Sequence, residues 1–218
     1  MPAPTARPPS PAKVRAAWSE VYATTPYRRL PWFSAEASPA VRGAVEDGLW
    51  PKGGAILDVG CGAGTNLLYL AQHGFAAHGI DFAPDAVRVA RERAARAGAT
   101  IEAREGDVLR LPYPRARFDG ALDIGCFHAL PIDRRPQYRE ELSRVLRPGA
   151  PFLLVWAARE SRRGIGPPHR PSVGEVADAL EPRFQFDAVR FVPALGTWRL
   201  EVYVGRLRRR TKPWPRAR

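Results

Sequence analysis

From Ala55 to Ala158 the chain switches back and forth between two apolar rhythms, which constrains its fold more than any other feature. Short aliphatic runs predict strands over "AILDVG" (55–60), "FAAHGID" (75–81), "TIEAREGD" (100–107), "RFDGALDIG" (117–125) and "APFLLVWAA" (150–158). Apolar residues at helical spacing predict helices over "TNLLYLAQHG" (65–74), "APDAVRVARERAARAG" (83–98) and "RRPQYREELSRVLRPG" (134–149). Gly74 and Gly98 close the first two of these helices. Such alternation predicts an α/β fold, with a parallel sheet covered by helices on both faces. The ending breaks the rhythm. "FQFDAVRFV" and "TWRLEVYVGRL", separated by "PALG", read as an antiparallel hairpin.

Upstream of the alternation lie three further stretches. Residues 1–12 are rich in Pro and Ala and are expected to be disordered. Residues 13–35 read as a short helix and an irregular, aromatic arm or lid. "SPAVRGAVEDGLW" predicts a helix opened by Ser38-Pro39. The main domain is expected over 36–205, and "RLRRRTKPWPRAR" (206–218) as a basic flexible tail. The formal net charge of +12 sits mainly in the ends. Residues 206–218 carry seven positive charges and no acid, whereas 31–205 hold 22 basic against 21 acidic residues. A nearly neutral body argues against a nucleic-acid-binding face. Apolar runs are far short of the roughly 20 residues of a membrane span, and the start has no apolar segment of a secretory signal. Two cysteines, Cys61 and Cys126, make a disulfide framework improbable, and no Cys/His cluster has metal-site spacing, so no metal is expected. The expectation is a cytoplasmic protein.

The stretch "ILDVGCGAGTNLLYLA" (56–71) carries the chemistry. A strand feeds a turn made of Gly60, Gly62 and Gly64, and a helix follows. A dinucleotide-binding loop has G-x-G-x-x-G, but here the third glycine position is Thr65. Asp58, two residues before the first glycine, would repel a pyrophosphate and attract an ammonium or sulfonium. S-adenosylmethionine carries both cations and no phosphate. Asp81 ends the second predicted strand, where a carboxylate can accept ribose hydroxyls. Asp107 ends the third, within reach of an adenine amino group. Three acids at consecutive strand ends point to one ligand.

"ILDVGCGAG", "GIDFAPDAVRVAR", "EGDVLRLPYPRARFDGALDIG" and "LSRVLRPGAPFLLV" resemble, in order, the motifs of class I S-adenosylmethionine-dependent methyltransferases. The resemblance spans roughly residues 36 to 205. It implies a Rossmann-like, doubly wound sheet of seven strands in the order 3-2-1-4-5-7-6, with strand 7 antiparallel. It also implies that Asp58, Gly60, Gly62 and Gly64 line the methionine end of the cofactor and that Asp81 holds the ribose. Phe82 would pack on the adenine, bordered by Asp107 and Val108. Trp18, Tyr22 and Trp32 are similar to the aromatic arm of methyltransferases acting on thiols, thiopurines and tellurite, where the arm covers the cofactor. "DIGCFHALP" (123–131) is similar to the D-R-G segment of the thiopurine branch, with Ile124 in place of the arginine.

The activity expected is direct displacement of a methyl group onto a small-molecule acceptor, with a thiol or other soft nucleophile as the leading candidate. A thiol, with a free pKa of about 8.5, needs little help to ionise. Asp123 and His128, just beyond the fourth strand, are the candidate bases. Alternatives are O- or N-methylation of a natural product, an RNA or protein methyltransferase gripping its target with the basic tail, and a nucleotide-binding oxidoreductase.

Overall fold

In the computed structural model, residues 11–158, 169–193 and 201–212 are described. The strands are β1 (Ala55–Val59), β2 (Ala76–Asp81), β3 (Ile101–Glu105), β4 (Gly120–Ile124), β5 (Pro151–Ala157), β6 (Phe184–Val192) and β7 (Val202–Arg209). The helices are α1 (Pro11–Thr24), α2 (Pro39–Glu46), α3 (Thr65–Gln72), α4 (Pro84–Arg96), α5 (Arg135–Val145) and α6 (Val173–Leu180). Short 3-10 turns stand at Tyr27–Arg29, Phe127–Ala129 and Ile132–Arg134.

All seven strands form one sheet in the order β3-β2-β1-β4-β5-β7-β6. The first five pair in parallel, and β7 runs antiparallel between β5 and β6. Alternate residues of the central strands feed two cores, as expected where both faces are covered. Leu57, Val59, Phe152, Leu154 and Trp156 pack with Tyr138 and Leu142 of α5 and Val176 and Leu180 of α6. Ile56, Leu122, Leu153 and Val155 pack on the other face with Val41 of α2, Leu67 and Leu70 of α3, and Val87 and Ala90 of α4. The layers bring the loops after β1, β2, β3 and β4 to one edge of the sheet.

Most predicted elements are present with ends shifted by a few residues. β7 differs in a way that has a cause. It begins at Val202 and runs to Arg209, into the stretch expected to be a flexible tail. Its length is set by its neighbours, since Arg208 pairs with Pro151 and Arg209 with Phe184. Leu207 is fully buried between them. Arg210 then donates through its backbone to Arg183 O at 2.8 Å and through Nε to Glu181 O at 2.8 Å. The boundary expected at residue 206 therefore falls inside the sheet. The "PALG" turn extends from Pro193 into residues outside the described set, as do residues 1–10 and 213–218 of the two ends. Helix α6 has no counterpart in the expected elements. Its start is a capping box in which Ser172 Oγ accepts from Glu175 N and the Glu175 carboxylate accepts from Ser172 N.

Candidate active site

The loop after β1 is shaped by backbone that favours glycine. Gly60 and Gly62 have φ of +73° and +50°, so a side chain at either would be strained. Close neighbours add to this. A Cβ on Gly60 would lie 2.6 Å from Cys126 Cβ, and one on Gly62 would lie 2.8 Å from the Tyr22 hydroxyl. The loop is thus pressed on one side by the β4 loop and on another by α1. Gly64 serves packing, because its Cβ would lie 2.7 Å from that of Ala90 on α4.

Four carboxylates converge around this loop. Asp58, Asp81, Asp107 and Asp123 all act electrostatically on the Cys126 thiol, which burial first and then these charges push well up. Asp58 is buried, and its Oδ2 has no hydrogen-bond partner. Burial, then the charges of Asp123 and Asp81, push its carboxyl well above the usual carboxylate range. Asp81 bridges two loops, accepting from Gly62 N at 2.9 Å and from Ala83 N at 3.0 Å. Burial outweighs those hydrogen bonds and raises its pKa. Asp107 is exposed, stands two residues beyond β3, and accepts from Leu109 N at 2.8 Å. Val108 is buried and Phe82 half-buried.

The two candidate bases have other duties. Asp123 is fully buried and accepts from Cys126 N at 2.8 Å, from Phe127 N at 3.0 Å and from the Tyr138 hydroxyl at 2.7 Å. Burial raises its pKa to about 6 against those hydrogen bonds. Both of its oxygens are thus engaged by donors that hold the turn after β4. His128 is buried with Nδ1 accepting from Ala157 N at 3.0 Å. Burial, then the charges of Arg135 and Arg170, lower its pKa to about 3. A neutral ring with Nδ1 occupied carries its proton on Nε2 and has no lone pair left to accept another.

The aromatic arm lies on the glycine loop. Trp32 Nε1 donates to the Tyr22 hydroxyl at 3.0 Å, and the Trp18 and Trp32 rings meet edge-on at 5.0 Å. Burial and the charge of Asp81 raise the Tyr22 pKa. Thr65, where a dinucleotide loop would have glycine, donates to Ser34 O at 2.9 Å and accepts from Arg93 Nη1 at 2.8 Å. The Arg93 guanidinium also lies 5.7 Å from the Tyr27 ring centre and 5.2 Å from that of Phe33. Arg93 and Tyr138 are not apparent from the sequence, where each is one more residue on an amphipathic helix. The capping box of α6 was legible, since S-x-x-E precedes its apolar run.

These features fit a cationic ligand. An unpartnered buried carboxylate oxygen beside further acids is costly unless a positive charge joins it.

Residues 56–149 match the family model described as a methyltransferase domain. A 2-heptyl-1-hydroxyquinolin-4(1H)-one methyltransferase of Mycobacteroides abscessus is 30% identical over 163 residues, covering 74% of this chain and 71% of that protein. The chain belongs to the S-adenosylmethionine-dependent methyltransferases. Two solved structures resemble this methyltransferase along most of its length. One, reported for conversion of a disulfide bond into a thioacetal group during echinomycin biosynthesis, has a TM-score of 0.79 at 26% identity and covers 90% of this chain and 93% of its own. The other is the Burkholderia thailandensis 1,6-didemethyltoxoflavin-N1-methyltransferase with bound S-adenosylhomocysteine. It has a TM-score of 0.72 at 24% identity and covers 96% of this chain and 93% of its own, a likeness of fold. Among the described residues of the methyltransferase, no helix is long and apolar enough to cross a membrane, and no group of three or more His, Cys, Asp or Glu could hold a metal ion.

Proposed function

We propose that this methyltransferase acts on a small-molecule acceptor whose reacting atom is already ionised or easily ionised, a thiol foremost. The observation that carries this reading is the commitment of Asp123 and His128. Asp123 is surrounded by donors, and His128 has its basic nitrogen occupied by Ala157 N–H. An alcohol would need a general base that neither residue supplies. The structure reported for conversion of a disulfide into a thioacetal adds support from sulfur chemistry in a relative.

S-adenosylmethionine, when bound, supplies a methyl group already activated for displacement. In this reading Asp58 balances the cationic end of the cofactor, and Gly60, Gly62 and Gly64 let the backbone approach it. Asp81 accepts from the ribose hydroxyls, while Phe82, Asp107 and Val108 border the adenine. Trp18, Tyr22 and Trp32 cover the cofactor and keep water from the reacting atoms. The protein's contribution is proximity and in-line geometry. An RNA substrate held by the basic end is not favoured. Arg206 pairs with Asp47, Arg208 with Asp187, and Arg209 donates to Leu146 O.

The experiment is a rate profile against pH for matched thiol, phenol, amine and aliphatic alcohol acceptors, read by formation of S-adenosylhomocysteine. For thiols, kcat/KM should rise through the acceptor's own pKa and then level, with His128→Gln following the same curve. Efficient transfer to an unactivated alcohol would overturn the reading.

A further inference from the structure

Arg135 opens α5 and is 3% exposed, yet its Nε and Nη2 have no hydrogen-bond partner. Its guanidinium carbon lies 5.0 Å from the centre of the Phe127 ring. A cation–π contact offsets only part of the cost of burying a charge. Among the described residues, the acid acting on Arg135 is Glu175, whose Oε2 accepts from Ser172 N at 2.7 Å and Ser172 Oγ at 2.9 Å. Arg135 and Arg170 both act on His128, which is itself uncharged. The first turn of α5 has no acid and no side-chain cap. Phe127 and His128 follow β4, and Ser172 and Glu175 follow β5. Arg135 therefore stands beyond the carboxyl ends of the central strands, where the acceptor has to meet the cofactor.

The two unpartnered nitrogens define the ligand. Nε–H and Nη2–H lie on the same edge of the guanidinium plane and point the same way. That edge donates two parallel hydrogen bonds to the two oxygens of a carboxylate. We propose that Arg135 is the acceptor anchor of this methyltransferase, and that the acceptor carries a carboxylate received by the Nε/Nη2 edge. This rests on the small-molecule reading above and narrows it to an anionic acceptor. Methyl transfer itself takes place at another atom of that acceptor, and Arg135 sets its position. Across the site the acids around Asp58 suit the cationic cofactor, while Arg135 draws the anionic end of the acceptor away from them.

The test measures binding to the full chain saturated with S-adenosylhomocysteine, using benzoate against benzamide and octanoate against octanamide. Each pair keeps its shape and differs in charge. Wild type should bind each acid about tenfold or more tightly than its amide, the scale of a charge-assisted bidentate pair. Arg135→Met should bring acid and amide to the same affinity and leave S-adenosylhomocysteine affinity unchanged. Arg135→Lys should fall between. Equal affinity for acid and amide in wild type, or an acid preference that survives in Arg135→Met, would overturn the proposal. If the Met variant does not fold, the ratio of acid to amide affinity in Arg135→Lys decides the matter. A smaller acid preference than in wild type is expected, and an unchanged preference refutes the proposal. The two readings fail differently. Loss of S-adenosylhomocysteine binding by wild type would strike the methyltransferase reading, whereas retained binding without acid preference strikes only this one.

Discussion

Asp58 and Asp123 stand on neighbouring strands at the same edge of the sheet and lead to different chemistry. Asp58 pairs in register with Leu122, which puts Asp123 one residue further along and on the opposite face. On that face Tyr138 of α5 reaches it, and the turn after β4 folds its amides around it. Asp58 has an oxygen with no partner at all. Two buried aspartates that look alike in type and position thus differ in their surroundings, one ringed by donors and the other with an unpartnered oxygen. The same distinction separates Arg135 from the arginines of β7. For a buried charge, the number of its partners says more about function than its residue type does.

The largest expected effect follows loss of the ringed aspartate. Asp123→Ala leaves the Tyr138 hydroxyl and the turn amides without an acceptor and should cost about 3–5 kcal/mol of stability by urea denaturation. Cofactor affinity of the fraction that stays folded should change far less. A variant with wild-type stability would remove the division between the two aspartates.

Asp58→Ala should behave in the opposite sense. Cofactor binding should weaken by roughly 1.5–3 kcal/mol, the scale of a hydrogen bond to a charged group. The stability of the cofactor-free protein should hold or rise, because the substitution removes a carboxyl with an unsatisfied oxygen. Burial pushes the Asp58 pKa up, so binding a cation there should release a proton and affinity should fall as pH drops. Calorimetry in two buffers of different ionisation enthalpy reads that proton. Its persistence in Asp58→Ala would assign it to another group.

These contrasts explain what the sequence made legible. Strand–helix alternation, the glycine turn and the acids at strand ends are local signals, and the sheet order followed once they were matched to a family. The surroundings of Asp123 and His128 stayed hidden for a shared reason. Their places at the end of β4 and just after it are visible in sequence, but the donors that occupy them come from Tyr138, fifteen residues on, and from the backbone of Ala157 in the next strand. Arg135 was hidden similarly, since an unpaired guanidinium is a property of packing. β7 outran its apolar signal because its partners on both sides fix its length.

His128 gives a smaller and more specific contrast. Its folded pKa of about 3 lies below its ordinary value of 6.5. The unfolded chain therefore takes up the proton first. The contribution to stability is complete above pH 6.5 and is lost as pH falls toward 3. His128→Gln retains an oxygen to accept from Ala157 N–H and has nothing to protonate. The stability of wild type relative to this variant should drop by roughly 2 kcal/mol between pH 7 and pH 5. Asp123 works in the other direction, since a folded pKa of about 6 favours the fold as pH falls from 6 toward 4. That term is common to both proteins and cancels in the difference. A difference that does not change with pH would mean that the imidazole titrates normally.

The smallest effect lies at the basic end, where partners are plentiful and each is weak. Arg206 and Arg208 pair with Asp47 and Asp187 at the surface, and such exposed pairs contribute little. Arg209 is different. Its backbone N donates to Ala150 O at 2.9 Å, its backbone O accepts from Gly149 N at 3.0 Å, and its Nη1 donates to Leu146 O at 2.7 Å. Arg210 adds hydrogen bonds to Arg183 O and Glu181 O. Ending the chain after Arg210 should therefore change stability by less than about 0.5 kcal/mol. Ending it after Arg208 removes several hydrogen bonds that close β7 and should cost about 1–3 kcal/mol, at roughly 0.5–1.5 kcal/mol for each bond. Small-molecule turnover at a temperature where both forms are folded should match that of the full chain, because these arginines point to the far end of β7 from the glycine loop. Urea titrations of the two truncated proteins make the comparison. If both match the full chain, the basic end is ornamental to the fold as far back as Arg209. If ending the chain after Arg208 abolishes turnover of the folded protein while ending it after Arg210 does not, arginines that are paired in the structure have a role at the site, and counting partners is a poor guide to function in this molecule.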